Sequence, residues 1–569
     1  MGACTLPTAE ATPGLTSRRD SGHLYGNGLF QLLTVMSTAV GSCLYVLHYE
    51  SFKVTAGVMD HWCQRPDAFA NLSVDEWKSL AIPLDDHGER SHCLVRDPPD
   101  GGENSSVVSC SSWEFDLAPF GNNAVSEWKL VCNRSWLRSF VRIAYALGAM
   151  IALPAAGVAA DNVGRKTVTF LAVPVVLIAG VASSLPKDFN FFVAVGTAVS
   201  AATGALVPAL WALLYEVSTP NMLVLYTVAT AVAVILMIPA TLFIADLISG
   251  GWTTIQLLLM VPTAFLLALY YTVDESPAWL IARGRIPEAQ RVSLRAARLN
   301  RVELSRSREE LLKAAGQPNQ HKAGAQRFCG ATLRGRMVLS CYMWVVLAFA
   351  LENFIYNEGV EIGDITIALG LTLSAVTIVA GTFYLPRVGV KRAVILTGIL
   401  FSSSMTLLAA TYTRQRTLAR DAMVTVVRVA GYSTYMPFFL MNTAMYPATA
   451  RSTAIGTALS AARFGDTVAQ LIMTPDHLKR VLIAVTAVLM ALFVAAAEFL
   501  PEELEGAAQE LKAVAKNGRK RPQGDLRRSF QSTLAPLPKK PIEARQDKTF
   551  QEFGMGSMKS SLWLSGRLR

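Results

Sequence analysis

The sequence predicts an all-α polytopic membrane protein: twelve transmembrane helices in two six-helix halves, with an external loop domain between the first two helices. Three observations carry that expectation. The 569 residues are 52% hydrophobic and only 17% charged, with a mean hydropathy of +0.35, whereas soluble proteins carry about 25% charged residues. Twelve mostly apolar stretches approach the ~20 residues that a spanning helix needs. A long hydrophilic segment after the sixth stretch divides the chain six plus six. These numbers exclude a disordered chain, a coiled coil and a disulfide-only mini-domain.

In chain order, residues 1–28 are polar and are expected in the cytoplasm. No cleavable signal peptide is evident, because the first apolar run, 29–50, is long enough to span. Residues 51–138 are hydrophilic. Spans two to six are expected at 139–160, 167–185, 189–213, 222–247 and 250–272. A central loop covers 273–335. Spans seven to twelve follow at 336–356, 363–385, 392–412, 420–443, 452–474 and 478–499, and a basic tail occupies 500–569. Polar residues interrupt 363–385 and 420–443 most.

Charge sets the orientation. Segment 273–336 holds 13 Lys+Arg and 6 Asp+Glu, the tail from 501 holds 14 and 8, and segment 51–138 holds 8 and 13. Basic loops stay cytoplasmic. Both termini and the central loop are therefore expected inside, and 51–138 outside, as in a multi-pass protein of the plasma membrane. The net charge of +10 is thus mostly topology and not a nucleic-acid surface. The external segment carries three N-glycosylation sequons, at Asn71, Asn104 and Asn133. It also carries Cys63, Cys93, Cys110 and Cys132, an even number in an oxidising compartment. Four cysteines allow three pairings, and the sequence does not choose among them. Cys43, Cys329 and Cys341 read as free thiols; Cys4 is assigned nothing.

Local patterns then converge. The external segment reads His61-Trp62-Cys63-Gln64, then Cys110-Ser-Ser-Trp113-Glu114-Phe115-Asp116, then Val125-Ser126-Glu127-Trp128-Lys129-Leu130-Val131-Cys132. It resembles the external loop of the organic cation, organic anion and carnitine transporter family, the solute carrier family 22 branch of the major facilitator superfamily. Asp161-Asn-Val-Gly164-Arg165-Lys166 is similar to that superfamily's D-x-x-G-R-R/K signature. Glu275-Ser276-Pro277-Ala278-Trp279-Leu280 is similar to the family's P-E-S-P-R-W-L, and Leu500-Pro501-Glu502-Glu503 follows span twelve. The resemblance covers about residues 24–505 and implies the two-repeat fold, with movement of small organic ions by alternating access. The chain departs from the family at Leu223, at Pro386 in the second signature copy, at Ala444 for a glutamate after span ten, at Leu351-Glu352 for paired aromatics, and at Thr377 for an acid in span eight.

The resemblance implies a cytoplasmic gate of Asp161, Gly164, Arg165 and Glu216, with Glu275, Arg392 and Arg451 as further gating residues. Gly164 permits the tight turn. A partly exposed ion pair is worth at most about 1 kcal/mol, a bias sufficient for nearly degenerate transport states. Arg387, Lys391, Arg392 and Arg451 lack their usual second-half acids, and are expected to pair with Glu275, Glu502 or anionic lipid.

Ionisable residues inside spans mark the path, because they are costly in lipid. Arg463 lies mid-span eleven, on a polar stripe with Thr453, Gly456, Ser460, Thr467 and Gln470 at helical spacing. An arginine in a midplane cavity attracts a carboxylate or sulfonate. Glu352 is the expected counter-charge and a candidate proton carrier. Arg428, in span ten, reads as a second basic contact or as a snorkelling side chain. Asp466 lies one turn from Arg463 and is left facing either way. Aromatic walls suit flat organic ions, and the resemblance favours Trp211, Trp344, Tyr435 and Phe439, with Trp344 opening span seven. Span one presents Thr34, Thr38, Gly41, Tyr45 and His48, the last read as structural.

No phosphate-binding loop, metal cluster or nucleophile constellation appears, so a pump, an enzyme, a metal and a cofactor are not expected. The expected partners are a small organic ion and the lipid bilayer. An organic anion or carnitine-like zwitterion is favoured. The rivals are an organic cation carrier and a non-transporting receptor of the same fold.

Overall fold

In the computed structural model the described residues of the expected apolar stretches are mainly helical, the sixth as two short helices. The structure describes residues 25–57, 59–84, 88–101, 105–117, 121–185, 188–247, 251–269, 273–302, 331–356, 365–412, 417–472 and 476–501. The first half holds α1 (Leu29–Thr55), α4 (Trp136–Val163), α5 (Arg165–Ser183), α6 (Phe189–Val217), α7 (Pro220–Leu247) and the short pair α8 (Trp252–Leu258) and α9 (Val261–Leu269). The central loop contributes α10 (Pro277–Ala282) and α11 (Ile286–Leu299). The second half holds α12 (Ala331–Tyr356), α13 (Ile365–Val388), α14 (Val390–Thr411), α15 (Leu418–Ala444), α16 (Arg451–Leu471) and α17 (Asp476–Glu498). The sixth expected span is broken at Leu259 and Met260, because Pro262 has no N–H to continue the ladder.

Among the described residues, nine helices are long and apolar enough to cross a membrane by themselves. Helices α15 and α16 fall outside that set because they carry Arg420, Asp421 and Arg428, and Arg451, Arg463 and Asp466. Their charges must be satisfied within the bundle. Conversely, Ile151, Ile178, Phe243, Val338 and Phe383 are exposed large apolar residues, as expected of helices whose outer faces meet acyl chains.

The two halves meet along two seams, α16 on α4 and α13 on α7. The first seam is close because glycine permits it. A Cβ at Gly456 would meet the carbonyl oxygen of Leu153, and one at Gly157 would meet that of Ser452. Ser460 Oγ donates to Met150 O at 2.7 Å across the same seam. The polar stripe of α16 therefore faces neighbouring helices.

The segment between α1 and α4, expected to be external, contains two small antiparallel ribbons. Strand β1 (His61–Cys63) pairs with β4 (Trp113–Phe115), and β2 (Leu94–Asp97) with β3 (Ser106–Ser109). Helix α2 (Val74–Ala81) starts at a capping box between Ser73 and Glu76. Its Trp77 is buried and donates to Cys63 O at 2.9 Å. Glu114 accepts from Trp62 Nε1 at 3.1 Å and from Arg65 N at 3.0 Å. Burial acts to raise that carboxyl, but these hydrogen bonds outweigh it and hold the group below its ordinary value. The short α3 (Ala124–Glu127) fastens the segment to the helices: Trp252 Nε1 donates to Glu127 at 2.8 Å, and Trp128 stacks against Phe192 at 4.9 Å.

Disulfides join Cys63 to Cys110 and Cys93 to Cys132, one of the three pairings left open by the sequence. His61 lies beside Cys93 and Cys132 with metal-like spacing, but both sulfurs are committed to the disulfide. Losing a native disulfide costs about 2–5 kcal/mol in small secreted domains. Cys93→Ser and Cys132→Ser are each expected to lower thermal stability and surface delivery, and the double variant to be no worse than either single. Additive losses would refute this pairing. Asn71 and Asn133 are exposed. Asn104, Cys4, Cys329, Glu502, Glu503, residues 1–24 and the tail from 502 lie outside the described residues.

Candidate functional site

At one end of the bundle, the end expected to be cytoplasmic, α4 and α5 are separated by Gly164 alone, with φ 117°, a conformation that L side chains rarely adopt. The turn sets Asp161 and Arg165 side by side: Arg165 Nη2 lies 3.2 Å from Asp161 Oδ1 and 3.0 Å from Glu216 Oε1. Arg165 also donates to Ala448 O in the second half. Arg451 Nη1 approaches the same Glu216 oxygen at 2.8 Å and stacks over Tyr215 at 4.5 Å. Arg451 therefore pairs with Glu216 of the first half, whereas Glu275 accepts from Arg165 N and Lys166 N and Glu502 lies outside the described residues.

Asp161 does more than pair with Arg165. Its carboxylate accepts from Ser452 N at 3.2 Å, Thr453 N at 2.8 Å and Thr453 Oγ1 at 2.7 Å. Helix α16 begins after Ala450, which has no side chain able to cap. A carboxylate of one half thus caps a helix of the other, satisfying orphan N–H groups and the positive helix end. Glu275 does the same for α5, accepting from Arg165 N at 3.0 Å and Lys166 N at 3.1 Å. Burial pushes the Glu275 carboxyl up, only partly offset by these backbone bonds and by Arg165, so it takes a proton at a higher pH than a free glutamate. Trp279 Nε1 donates to Asp161 O at 2.9 Å, bracing the turn from α10.

The expectation of a partly exposed gate pair is corrected here. Arg165, Asp161 and Glu216 are only 0%, 3% and 6% exposed, so breaking one partner strands a buried charge at about 3–5 kcal/mol. The second signature copy is different. Arg387 donates to its own helix at Phe383 O, Lys391 Nζ lies 3.6 Å from Glu498, and Arg392 is exposed. Arg392 is thus not brought to the gate. The network bridges the two halves at this end of the bundle.

Near mid-membrane, Arg463 Nη1 lies 3.2 Å from Asp466 Oδ2, so Asp466 and not Glu352 is its counter-charge. The guanidinium sits over the rings of Tyr45 at 4.9 Å and Tyr49 at 4.3 Å, a cation–π arrangement strengthened by desolvation. Despite the ion-pair distance, Nη1 makes no hydrogen bond of acceptable geometry. Glu352 Oε1 instead accepts from Gln470 Nε2, with Tyr49 Oη at 3.4 Å. Arg428 is 4% exposed, which overturns snorkelling.

The four aromatics favoured by resemblance come together. Trp211 meets Phe439 at 4.6 Å, and Trp344 meets Tyr435 at 4.9 Å and Phe439 at 6.2 Å. Trp344 lies at the middle of α12 rather than opening it. Thr377 shares a 2.8 Å hydrogen bond with Ser433 on the α13–α15 contact and does not join Arg463 or Glu352. Thr34 and Thr38 spend their hydroxyls on helical carbonyls, and His48 is buried. Sequence reading missed Tyr49. The four-residue step from Tyr45 to Tyr49 was the available signal.

Solved structures place this architecture in a class. The proton:xylose symporter XylE of E. coli, bound to 6-bromo-6-deoxy-D-glucose, superposes with a TM-score of 0.61 at 16% identity, covering 85% of this chain and 99% of that one. The human organic anion transporter TETRAN gives 0.53 at 12% identity, covering 83% and 100%. The fold is that of the major facilitator superfamily. The family model described as sugar (and other) transporter matches residues 120–510, and the chain belongs to that family of membrane transporters; it is also similar to solute carrier family 22 members. Solute carrier family 22 member 7 of Sus scrofa is 25% identical over 481 residues, covering 78% of this chain and 86% of that protein. Solute carrier family 22 member 6 of Mus musculus is 24% identical over 536 residues, covering 88% and 94%. The organic cation transporter-like protein of Drosophila melanogaster is 24% identical over 383 residues, covering 63% and 66%.

Proposed function

We propose that this transporter carries carboxylate-bearing organic ions, with a carnitine-like zwitterion preferred over a simple anion and both over a simple cation. The observation that carries this reading is Arg463, stacked on Tyr45 and Tyr49 with Nη1 donors not spent on a hydrogen bond. A substrate carboxylate completes that guanidinium in a desolvated site. The cationic end of a zwitterion then faces Glu352, with Trp211, Trp344, Tyr435 and Phe439 as the apolar wall. The carboxylates Asp466, beside Arg463, and Glu352, on Gln470 and Tyr49, offset the cation there, so a bare anion gains less there than a zwitterion does.

Closure of the Asp161–Arg165–Glu216–Arg451 network alternates with its release, and exposes the site to one side at a time. The acidic external segment and basic loops support a plasma-membrane protein with both termini cytoplasmic; exposed Asn71 and Asn133 are read as glycan acceptors.

The test is uptake by purified protein in liposomes, in competition with a carboxybetaine, an aryl carboxylate and a tetraalkylammonium. The betaine is expected to compete best. The tetraalkylammonium is expected to be about tenfold or more weaker, since losing one desolvated charge pair costs ~2 kcal/mol or more. The cation competing best would overturn the specificity, and binding without any uptake or exchange would overturn transport.

A further inference from the structure

The face of α1 that carries Arg463 continues toward the end of the helix expected to be external. Tyr45, Tyr49 and Phe52 follow at four- and three-residue steps and share that face, and Ala56 caps the helix. Tyr45 and Tyr49 lie under the Arg463 guanidinium. Phe52 lies under that of Arg142 at 5.8 Å, and Ala56 O accepts from Arg138 Nε at 2.9 Å. From the first pair of α1 residues to the second is about 10 Å of helix. Arg138 and Arg142 stand one turn apart on α4, which packs on α16. They do not reach for lipid: Phe140, Leu147 and Ile151 mark the exposed side of α4, and Arg138 and Arg142, each two positions from Phe140, lie across the helix from it. Both are partly buried, and among the described residues neither has a carboxylate partner. Like charges one turn apart repel, and among those residues no opposite charge is paired with either.

We propose that Arg142, with Arg138 beside it, is an outer docking site for the substrate carboxylate, one step before Arg463 along the same face of α1. The inference rests on the carboxylate reading above. An arginine pair without a counter-charge in a partly desolvated cleft attracts a carboxylate and repels a cation. Arg138 is the fixed member, because its Nε is spent on the carbonyl that ends α1. Arg142 touches only a ring face among the described residues, so its N–H donors remain for the ligand. The ~10 Å step along α1 is short enough for a small organic ion to leave one guanidinium as it meets the next. Docking at Arg142 sets how readily the carboxylate enters, and not how fast the loaded carrier turns over.

The experiment is initial-rate uptake of an aryl carboxylate by the full-length protein in liposomes, with KM and Vmax measured at low and high salt. At about 0.01 M salt, where the Debye length is about 30 Å, Arg142→Gln is expected to raise KM about fivefold with Vmax unchanged. Arg142→Lys, which keeps the charge, is expected to restore most of that loss. At about 1 M salt, where the Debye length is about 3 Å, the difference between Arg142→Gln and the unaltered protein is expected to close. The inhibition constant of a tetraalkylammonium does not rise in Arg142→Gln. A merely structural arginine would instead lower Vmax or the melting midpoint alike at both salts. With carboxylate uptake intact in the unaltered protein, an unchanged KM in Arg142→Gln at low salt, a loss that Arg142→Lys does not restore, or an equal effect at both salts would each overturn the docking site and leave the carboxylate reading standing. An unaltered protein that carries the tetraalkylammonium and no carboxylate would overturn that reading and the docking site with it.

Discussion

Asp161→Ala is expected to abolish most transport and to free the start of α16. Asp161 holds Arg165 and also caps Ser452 N and Thr453 N across the two halves. Its loss leaves Arg165, 0% exposed, short of one counter-charge, and two helix-end N–H groups without an acceptor. Removing one member of a buried ionic set costs about 3–5 kcal/mol, or roughly two to four orders of magnitude in the closed-to-open ratio. Uptake is expected to fall at least about tenfold, because the carrier is then held inward-open. The direct readout is amide hydrogen exchange at Ser452 and Thr453, which should rise sharply in Asp161→Ala and only partly in Asp161→Asn, whose amide oxygen still accepts. Unchanged exchange at these two amides would show that the cap does not hold the gate. Glu216→Gln makes a separable prediction: Arg165 and Arg451 lose their shared partner, yet the Asp161 cap on α16 stays, so exchange there moves less.

Arg463→Ala is expected to remove carboxylate recognition. Truncating one partner of a desolvated charge pair costs about 2–5 kcal/mol, so apparent affinity for a carboxylate substrate should fall by about two orders of magnitude. Affinity for a cation without a carboxylate should rise or hold, since Asp466 and Glu352 remain. Arg463→Lys keeps the charge but not the planar stacking on Tyr45 and Tyr49, and should recover only part of the loss. Arg463→Ala also strands Asp466, which is 3.2 Å away; Arg463→Gln with Asp466→Asn keeps the pair neutral and is the control for folding, read by surface biotinylation. Intact carboxylate uptake in that double variant would remove Arg463 from recognition.

Much of the architecture was legible because membrane insertion is a one-dimensional constraint. Lipid demands about 20 apolar residues per span and basic loops inside, and both are visible in a string of letters. Helices α15 and α16 satisfy the length but carry internal charge, so they read as weak or polar spans although they form the functional wall. Pro262 marked the break in the sixth span, but its consequence needed the backbone.

The candidate site was legible by type and not by partner. Arg463, the aromatic set and the first signature copy stood out because their residue types are costly or patterned. Arg451 was placed with the second-half bases by sequence position, yet it lies 2.8 Å from Glu216, 235 residues away. Glu352 looked like the natural counter-charge of Arg463, but Asp466 is one turn away and Gln470 and Tyr49 occupy Glu352. Thr377 stands where the family has an acid and hydrogen-bonds Ser433 instead of meeting Arg463 or Glu352.

By itself, then, the sequence determined the class of protein, its helical architecture and the presence of a cationic residue within an apolar helix, because these depend on composition and periodicity along the chain. The tertiary structure alone decided which cysteines pair, that the gate charges are buried and not surface pairs, that Asp161 caps a helix of the opposite half, and which acid faces Arg463. Those outcomes depend on distances of a few ångströms between segments far apart in the chain, and charge–charge and hydrogen-bond energies fall off too steeply with distance for spacing in sequence to encode them.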